Sequence, residues 1–108
     1  GPPENPEHSS RNVCVFADAE VDRSPTGTGV SARVALHAAK GELAESQQLV
    51  IESILGAASA FHGRVASRTQ VGSYAAVVPE VSGSAHIVGR NTWILDPRDT
   101  LGEGFLLS

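Results

Sequence analysis

The sequence predicts an α+β fold in which a mainly antiparallel sheet wraps around a central buried helix. Two observations carry this expectation. From about residue 26 to 40 the apolar residues Val30, Ala32, Val34, Ala35, Leu36, Ala38 and Ala39 point all round a helical axis, and only Arg33, His37 and Lys40 form a polar stripe. A helix with so narrow a polar stripe is mostly enclosed. After it, one strand-like run follows another with no second helical pattern between them, so the strands pair largely as antiparallel neighbours. The 108 residues, 41% apolar and 5% aromatic, suit one small domain with a core of Val, Ala, Leu and Ile.

Residues 1–11 carry no charged-then-apolar signal and are expected to be a flexible lead-in, with Gly1-Pro2 read as a cloning remnant. Residues 12–17, Asn-Val-Cys-Val-Phe-Ala, form a continuous β-prone run expected to be a strand buried on both faces, followed by a loop over 18–23. Gly41 suits the residue just past the helix, where His37 and Lys40 complement the negative end of its dipole. Strands are then expected over 48–55, 60–69, 73–81, 85–88 and 91–95, with Gly56 and Gly63 at turns or bends and Ser82-Gly83-Ser84 as a tight hairpin connection. The closing run Gly102-Glu103-Gly104-Phe105-Leu106-Leu107 is apolar enough to need cover, so a partner segment outside the chain is expected.

Composition excludes several classes of function. A net charge of -4 with scattered Lys and Arg offers no basic face for nucleic acid or anionic lipid. No apolar run approaches the length of a membrane span. The single cysteine, Cys14, precludes an internal disulfide and favours a reducing, cytoplasmic compartment. With Val on both sides it is expected to be a packed core thiol. His8, His37, His62 and His86 share no metal-ligand spacing, so no metal is expected. Trp93 is expected in a core or interface.

The informative stretch is Asp22-Arg23-Ser24-Pro25-Thr26-Gly27-Thr28-Gly29, where a turn of small and polar residues runs straight into the helix. Ser24 is expected as N-cap, Pro25 fits the first turn because its missing N–H would be unpaired anyway, and Gly27 and Gly29 allow close approach to bare backbone. Open amides there, backed by the positive end of the helix dipole, suit a carboxylate or phosphate. The form Gly27-x-Gly29-x-x-Ala32 is not a dinucleotide fingerprint, since a long polar loop separates it from its strand and no parallel βαβ unit follows. A phosphate loop is excluded by the lack of Gly-Lys-Ser/Thr. Thr26 sits where a side chain points at whatever the amides hold, and Asp22 either pairs with an arginine or receives a ligand's ammonium. An anion nest beside a carboxylate matches a zwitterionic amino acid.

This string resembles the second active-site motif of the proline racemase family, which includes proline racemases, 4-hydroxyproline epimerases and trans-3-hydroxy-L-proline dehydratases. The stretches Glu80-Val81-Ser82-Gly83-Ser84-Ala85-His86-Ile87-Val88-Gly89 and Asp96-Pro97-Arg98-Asp99-Thr100-Leu101-Gly102-Glu103-Gly104-Phe105 resemble the family's closing strands and tail. The resemblance covers nearly everything from residue 12 to 108. It implies a cofactor-independent enzyme with the diaminopimelate epimerase fold, two similar halves with substrate between them. It further implies that Asp22 binds the ring nitrogen of a proline-like substrate and that the amides of Gly27 and Thr28 hold its carboxylate. In the racemases and epimerases the position of Thr26 is a cysteine.

That departure has chemical consequences. Inversion at Cα needs one group to remove a proton and a second, on the opposite face, to return one. A thiol near pKa 8.5 can do either, whereas an alcohol is too weak an acid to rest as an alkoxide at neutral pH. Removing water from a 3-hydroxyproline needs one Cα base, plus help for the departing hydroxyl that Thr26 can give. The resemblance therefore implies a dehydratase acting on trans-3-hydroxy-L-proline, with proline racemase or 4-hydroxyproline epimerase as the alternative and a non-catalytic binding or assembly module as an alternative of another class. The family's proton-abstracting cysteine lies in a Met-Cys-Gly-His motif that this chain lacks. The chain is thus expected to be a C-terminal portion with an incomplete site, inactive alone. Its expected partners are a hydroxyproline-like amino acid, the missing N-terminal half and a second copy in a homodimer.

Overall fold

A computed structural model describes residues 1–106. One helix packs on one face of a four-stranded sheet: β1 (Ser10–Arg11), α1 (Gly27–Ala39), β2 (Leu49–Ser53), β3 (Gly56–Val71) and β4 (Tyr74–Ser82). The strand order is β1-β2-β3-β4, with β1 parallel to β2 and both later pairs antiparallel. The sheet is therefore mainly antiparallel, as the succession of strand-like runs predicts.

Helix α1 lies within a residue or so of its expected bounds, but it is not enclosed. Val30, Val34 and Ala38, spaced by four, are its buried residues, while Leu36 on another face is half exposed. Val34 and Ala38 join Leu43 and Val65 in the core, with Leu49 and Val77 packed against them. The wrapping sheet of the prediction is thus a one-sided sheet within this chain. Gly63, expected at a turn or bend, lies inside β3 opposite Leu49 and Val81. A Cβ there would come within 2.7 Å of Val34 and 2.9 Å of Val30, so glycine is what lets the helix approach the strand.

Three further expectations are corrected. Residues 1–11 are not a free lead-in: β1 pairs with β2, and the segment is fastened to Glu52 as described below. Residues 12–17 do not form a buried strand. Beyond a single bridge between Val15 and Val21, the chain turns at Ala17–Ala19, where Asp18 and Ala19 take positive φ of 56° and 62°. Val13, Val15 and Phe16 are each at least half exposed, because β-prone side chains without a neighbouring strand have nothing to pair with. Cys14 is accordingly only partly covered rather than a core thiol.

Residues 83–95 likewise contain no strand, and no hairpin forms at 82–84; the tight turn lies instead at Gly72-Ser73, between β3 and β4. Ile87, Val88, Trp93 and Ile94 are all nearly fully exposed, so Trp93 joins no core of this chain. The Cα radius of gyration, 18.4 Å, reflects this splayed tail, since a compact domain of this length has about 13 Å. Leu107, part of the closing apolar run, lies outside the described residues.

Candidate functional site

The helix start forms as the turn chemistry predicts, with a shift in who caps what. Thr26, not Ser24, holds the N-cap position, and its carbonyl accepts the first helical hydrogen bond from Val30 N at 2.9 Å. Ser24 Oγ instead accepts from Thr26 N at 3.1 Å, and Asp22 Oδ1 accepts from Ser24 N at 2.7 Å, so two successive side-chain turns bring the chain into the helix. Thr26 pays for this in backbone strain: its φ of 69° and ψ of 117° lie outside the regions a β-branched residue favours.

Its hydroxyl makes no helix cap. Thr26 Oγ1 is buried without a hydrogen-bond partner among the described residues. The first-turn amides of Gly27, Thr28 and Gly29 lie too early in the helix for intrahelical partners, and none bonds elsewhere in the described chain. A cluster of donors around an unpaired hydroxyl is therefore open to a ligand.

Thr26, Thr28 and Gly29 line one side of a cleft of about 470 Å³ between the helix start and residues 11–14, with Arg11, Asn12 and Cys14 on the other side and Arg33 beside them; Gly27 is not among the residues that line it. Arg11 Nε is a second buried, unpaired polar atom in the same wall. Arg11 is ion-paired with the buried Glu52, so Arg33 is the cleft-lining guanidinium without a carboxylate partner among the described residues, and it sits beside the open first-turn amides. Asp22 is not in this cleft. It lines the neighbouring depression with Ser59, Phe61 and His86, across the Ser24-Pro25 turn from Thr26. Among the described residues no cluster of His, Cys, Asp or Glu could hold a metal, and no helix is long and apolar enough to cross a membrane.

The cleft's far wall is fixed by a residue that sequence reasoning missed. Glu52 on β2 is fully buried, and its carboxylate accepts from Glu4 N at 2.6 Å, Asn5 N at 2.8 Å, His8 Nδ1 at 2.9 Å and Arg11 Nη2 at 3.2 Å. Burial pushes this carboxyl up, but the two amides, His8 and Arg11 together outweigh it and hold it down to about 2. Residues 4–11 are thereby pinned to β2, and Arg11 and Asn12 are delivered to the cleft. Asn12 is held twice more, by its N–H to Glu52 O at 2.9 Å and by Arg33 Nη1 to its Oδ1 at 3.1 Å. No local signal marks this arrangement, because Glu52 and its partners are more than 40 residues apart in sequence.

The structure thus defines an α/β chain with one helix on a mostly antiparallel sheet and open amides at the helix start, and comparison with known proteins names its family. The family model described as proline racemase matches residues 1–106, and the chain belongs to that family. It is 53% identical over 105 residues to a trans-3-hydroxy-L-proline dehydratase of Burkholderia ambifaria, and equally to a 3-hydroxyproline 2-epimerase of Burkholderia multivorans. A proline racemase of Clostridioides difficile is 46% identical. Each alignment covers 97% of this chain but 31% of the relative, so the chain spans about a third of the length of the curated relatives it matches. A crystal structure of a hydroxyproline epimerase from Agrobacterium vitis, with bound trans-4-hydroxy-L-proline, superposes with a TM-score of 0.69 at 35% identity, covering 90% of this chain and 27% of that one.

Proposed function

We infer that this chain is the C-terminal portion of a trans-3-hydroxy-L-proline dehydratase, contributing one half of a site completed by a segment outside it. The observation that carries this reading is Thr26: a buried, unpaired hydroxyl at an amide-lined helix start, where the family resemblance implies a cysteine in racemases and epimerases. In this reading the amides of Gly27 and Thr28 hold the substrate carboxylate, and Asp22, in the adjoining depression, meets the ring nitrogen. A cysteine of the other half removes the Cα proton. The electron pair left at Cα forms the Cα–Cβ double bond as the C3–O bond breaks, Thr26 donates a hydrogen bond to the departing oxygen, and that hydroxide takes up a proton from solvent to leave as water while the cysteine returns the proton it removed to solvent. The resulting enamine tautomerises to Δ1-pyrroline-2-carboxylate. No cofactor is needed for this sequence.

Support comes from the cleft beside the first-turn amides, which Arg33 lines, and from relatives named for 3-hydroxyproline chemistry. A second reading, epimerisation at Cα of a hydroxyproline, draws on the equally similar relative named as a 3-hydroxyproline 2-epimerase. The longer protein containing this sequence separates the two when given trans-3-hydroxy-L-proline in deuterated water. Dehydration yields the pyrroline carboxylate without an inverted amino acid, and Thr26→Cys gains Cα inversion. An unmodified protein that already inverts Cα overturns the dehydratase assignment.

A further inference from the structure

We propose that Asn12 is a further substrate-binding residue, its side-chain amide donating to the carboxylate held at the start of α1. The inference rests on the site reading above and deepens it. The argument begins with Arg33, a side chain that can only donate. Its Nη1 donates to Asn12 Oδ1 at 3.1 Å, and its Nη2 lies 3.4 Å from His37 Nε2, which must therefore accept. His37 then carries its proton on Nδ1 and donates to Glu42 Oε2 at 2.7 Å. The whole row is ordered by one guanidinium, and the order leaves Asn12 no choice of orientation. With Oδ1 turned to Arg33, the NH2 group is turned to the helix start.

The position agrees. Asn12 Nδ2 lies 3.6 Å from where a Cβ on Gly29 would stand, and Thr26 Cβ lies 3.8 Å from the same point, so the amide sits over the first turn beside Thr26. Among the described residues no hydrogen bond occupies this Nδ2, although Asn12 lines the cleft with Thr26 and Thr28. Asn12 is a donor aimed by a cation, and a carboxylate on the amides of the first turn is the acceptor within its reach. The absence of a side chain at Gly29 keeps the approach clear.

A pair of substitutions in the longer protein separates binding from a merely structural tie. Asn12→Asp keeps an oxygen for Arg33 and strengthens that tie, but it removes the donor and sets a negative charge beside the carboxylate. Asn12→Ala removes both functions. The expected result is a rise in KM for trans-3-hydroxy-L-proline of about 10- to 150-fold in Asn12→Ala, the range of one hydrogen bond to a charged group, with kcat within about threefold. Asn12→Asp is expected to be worse than Asn12→Ala, with an unchanged melting temperature. If Asn12→Asp matches the wild type while Asn12→Ala does not, Asn12 only ties the wall to Arg33 and the inference is overturned; unchanged KM in both variants overturns it too. Should the unsubstituted protein neither bind nor turn over any proline-type amino acid, the reading of the whole site fails and this inference falls with it.

Discussion

Two clusters of donors lie on either side of the segment 4–12, built from similar parts and ending in opposite states. Around Glu52, two backbone amides, an imidazole and one arm of a guanidinium converge on a carboxylate that the chain itself supplies, and both carboxylate oxygens are taken twice over. Around Thr26, backbone amides, a hydroxyl and the edge of Arg11 converge on a cleft, and the described chain supplies no acceptor. Buried polar groups are normally paired, so an unpaired cluster beside a fully paired one marks where a ligand's charge belongs. The contrast also divides the labour. The Glu52 cluster locks Arg11 and Asn12 in place, and the Thr26 cluster uses them.

Breaking the filled cluster has the largest expected effect. Glu52→Gln replaces an acceptor oxygen with an amide donor that faces donors, and leaves a guanidinium without its countercharge. A fall in melting temperature of about 10 °C or more is expected, measured by calorimetry on the longer protein. The same cluster sets an acid limit. The folded-state value of Glu52, about 2, lies below its ordinary 4.5, so between these values the unfolded chain takes up the proton first. Its contribution is complete above about 4.5 and drains away as pH falls toward 2. Acid unfolding curves of wild type and Glu52→Gln should converge across that window, and parallel curves would remove Glu52 from its assigned role.

The two clusters were unequally legible in the sequence. The helix start was readable because its determinants are local: Ser-Pro-Thr-Gly-Thr-Gly enters a helical pattern, and turn residues act through their own backbone. Even there Ser24 is not the cap that its residue type suggests, since its hydroxyl bonds Thr26 N rather than a helix amide. The Glu52 cluster was opaque because residues 4–11 carry the polar, Pro-rich composition of a linker, and what orders them is a carboxylate on β2. Strand propensity misled at 12–17, 85–88 and 91–95 for one reason. Val, Ile and Trp describe a surface ready to pair, and pairing needs a second strand that the described chain does not provide there. Asn12 and Arg33 meet only in three dimensions.

Between the clusters and the core stands Gly63, the next largest effect. The side chains of Val30 and Val34 lie too close for a Cβ at this position, and both sit on the helix that presents the Thr26 cluster. Gly63→Ala must push α1 away from β3 or force off-rotamer valines, at a cost of about 1–3 kcal/mol. Because the helix carries the first-turn amides while Glu52 sits on β2, the substitution should raise KM in the longer protein and lower stability alike at all pH, leaving unchanged the pH window over which the contribution of Glu52 is lost. A rise in KM together with a shift of that pH window would show that the clusters are not separable.

The smallest expected effect has the opposite sign and tests whether the open cluster is held open at a cost. Thr26 occupies φ 69°, ψ 117° with a β-branched side chain, makes no cap, and buries a hydroxyl without a partner. The backbone strain and the unpaired hydroxyl are both unfavourable, and both are removed by glycine, which adopts positive φ freely and has no hydroxyl to desolvate. Glycine also gains more freedom on unfolding, which offsets part of the benefit, so Thr26→Gly should stabilise the fold by about 1 kcal/mol. It should do so while abolishing turnover of trans-3-hydroxy-L-proline by the longer protein. A residue kept for packing would lose stability on truncation; one kept for chemistry gains it. If Thr26→Gly melts lower than the wild type, the threonine is serving the fold, and the contrast between the filled and the open cluster loses its central term.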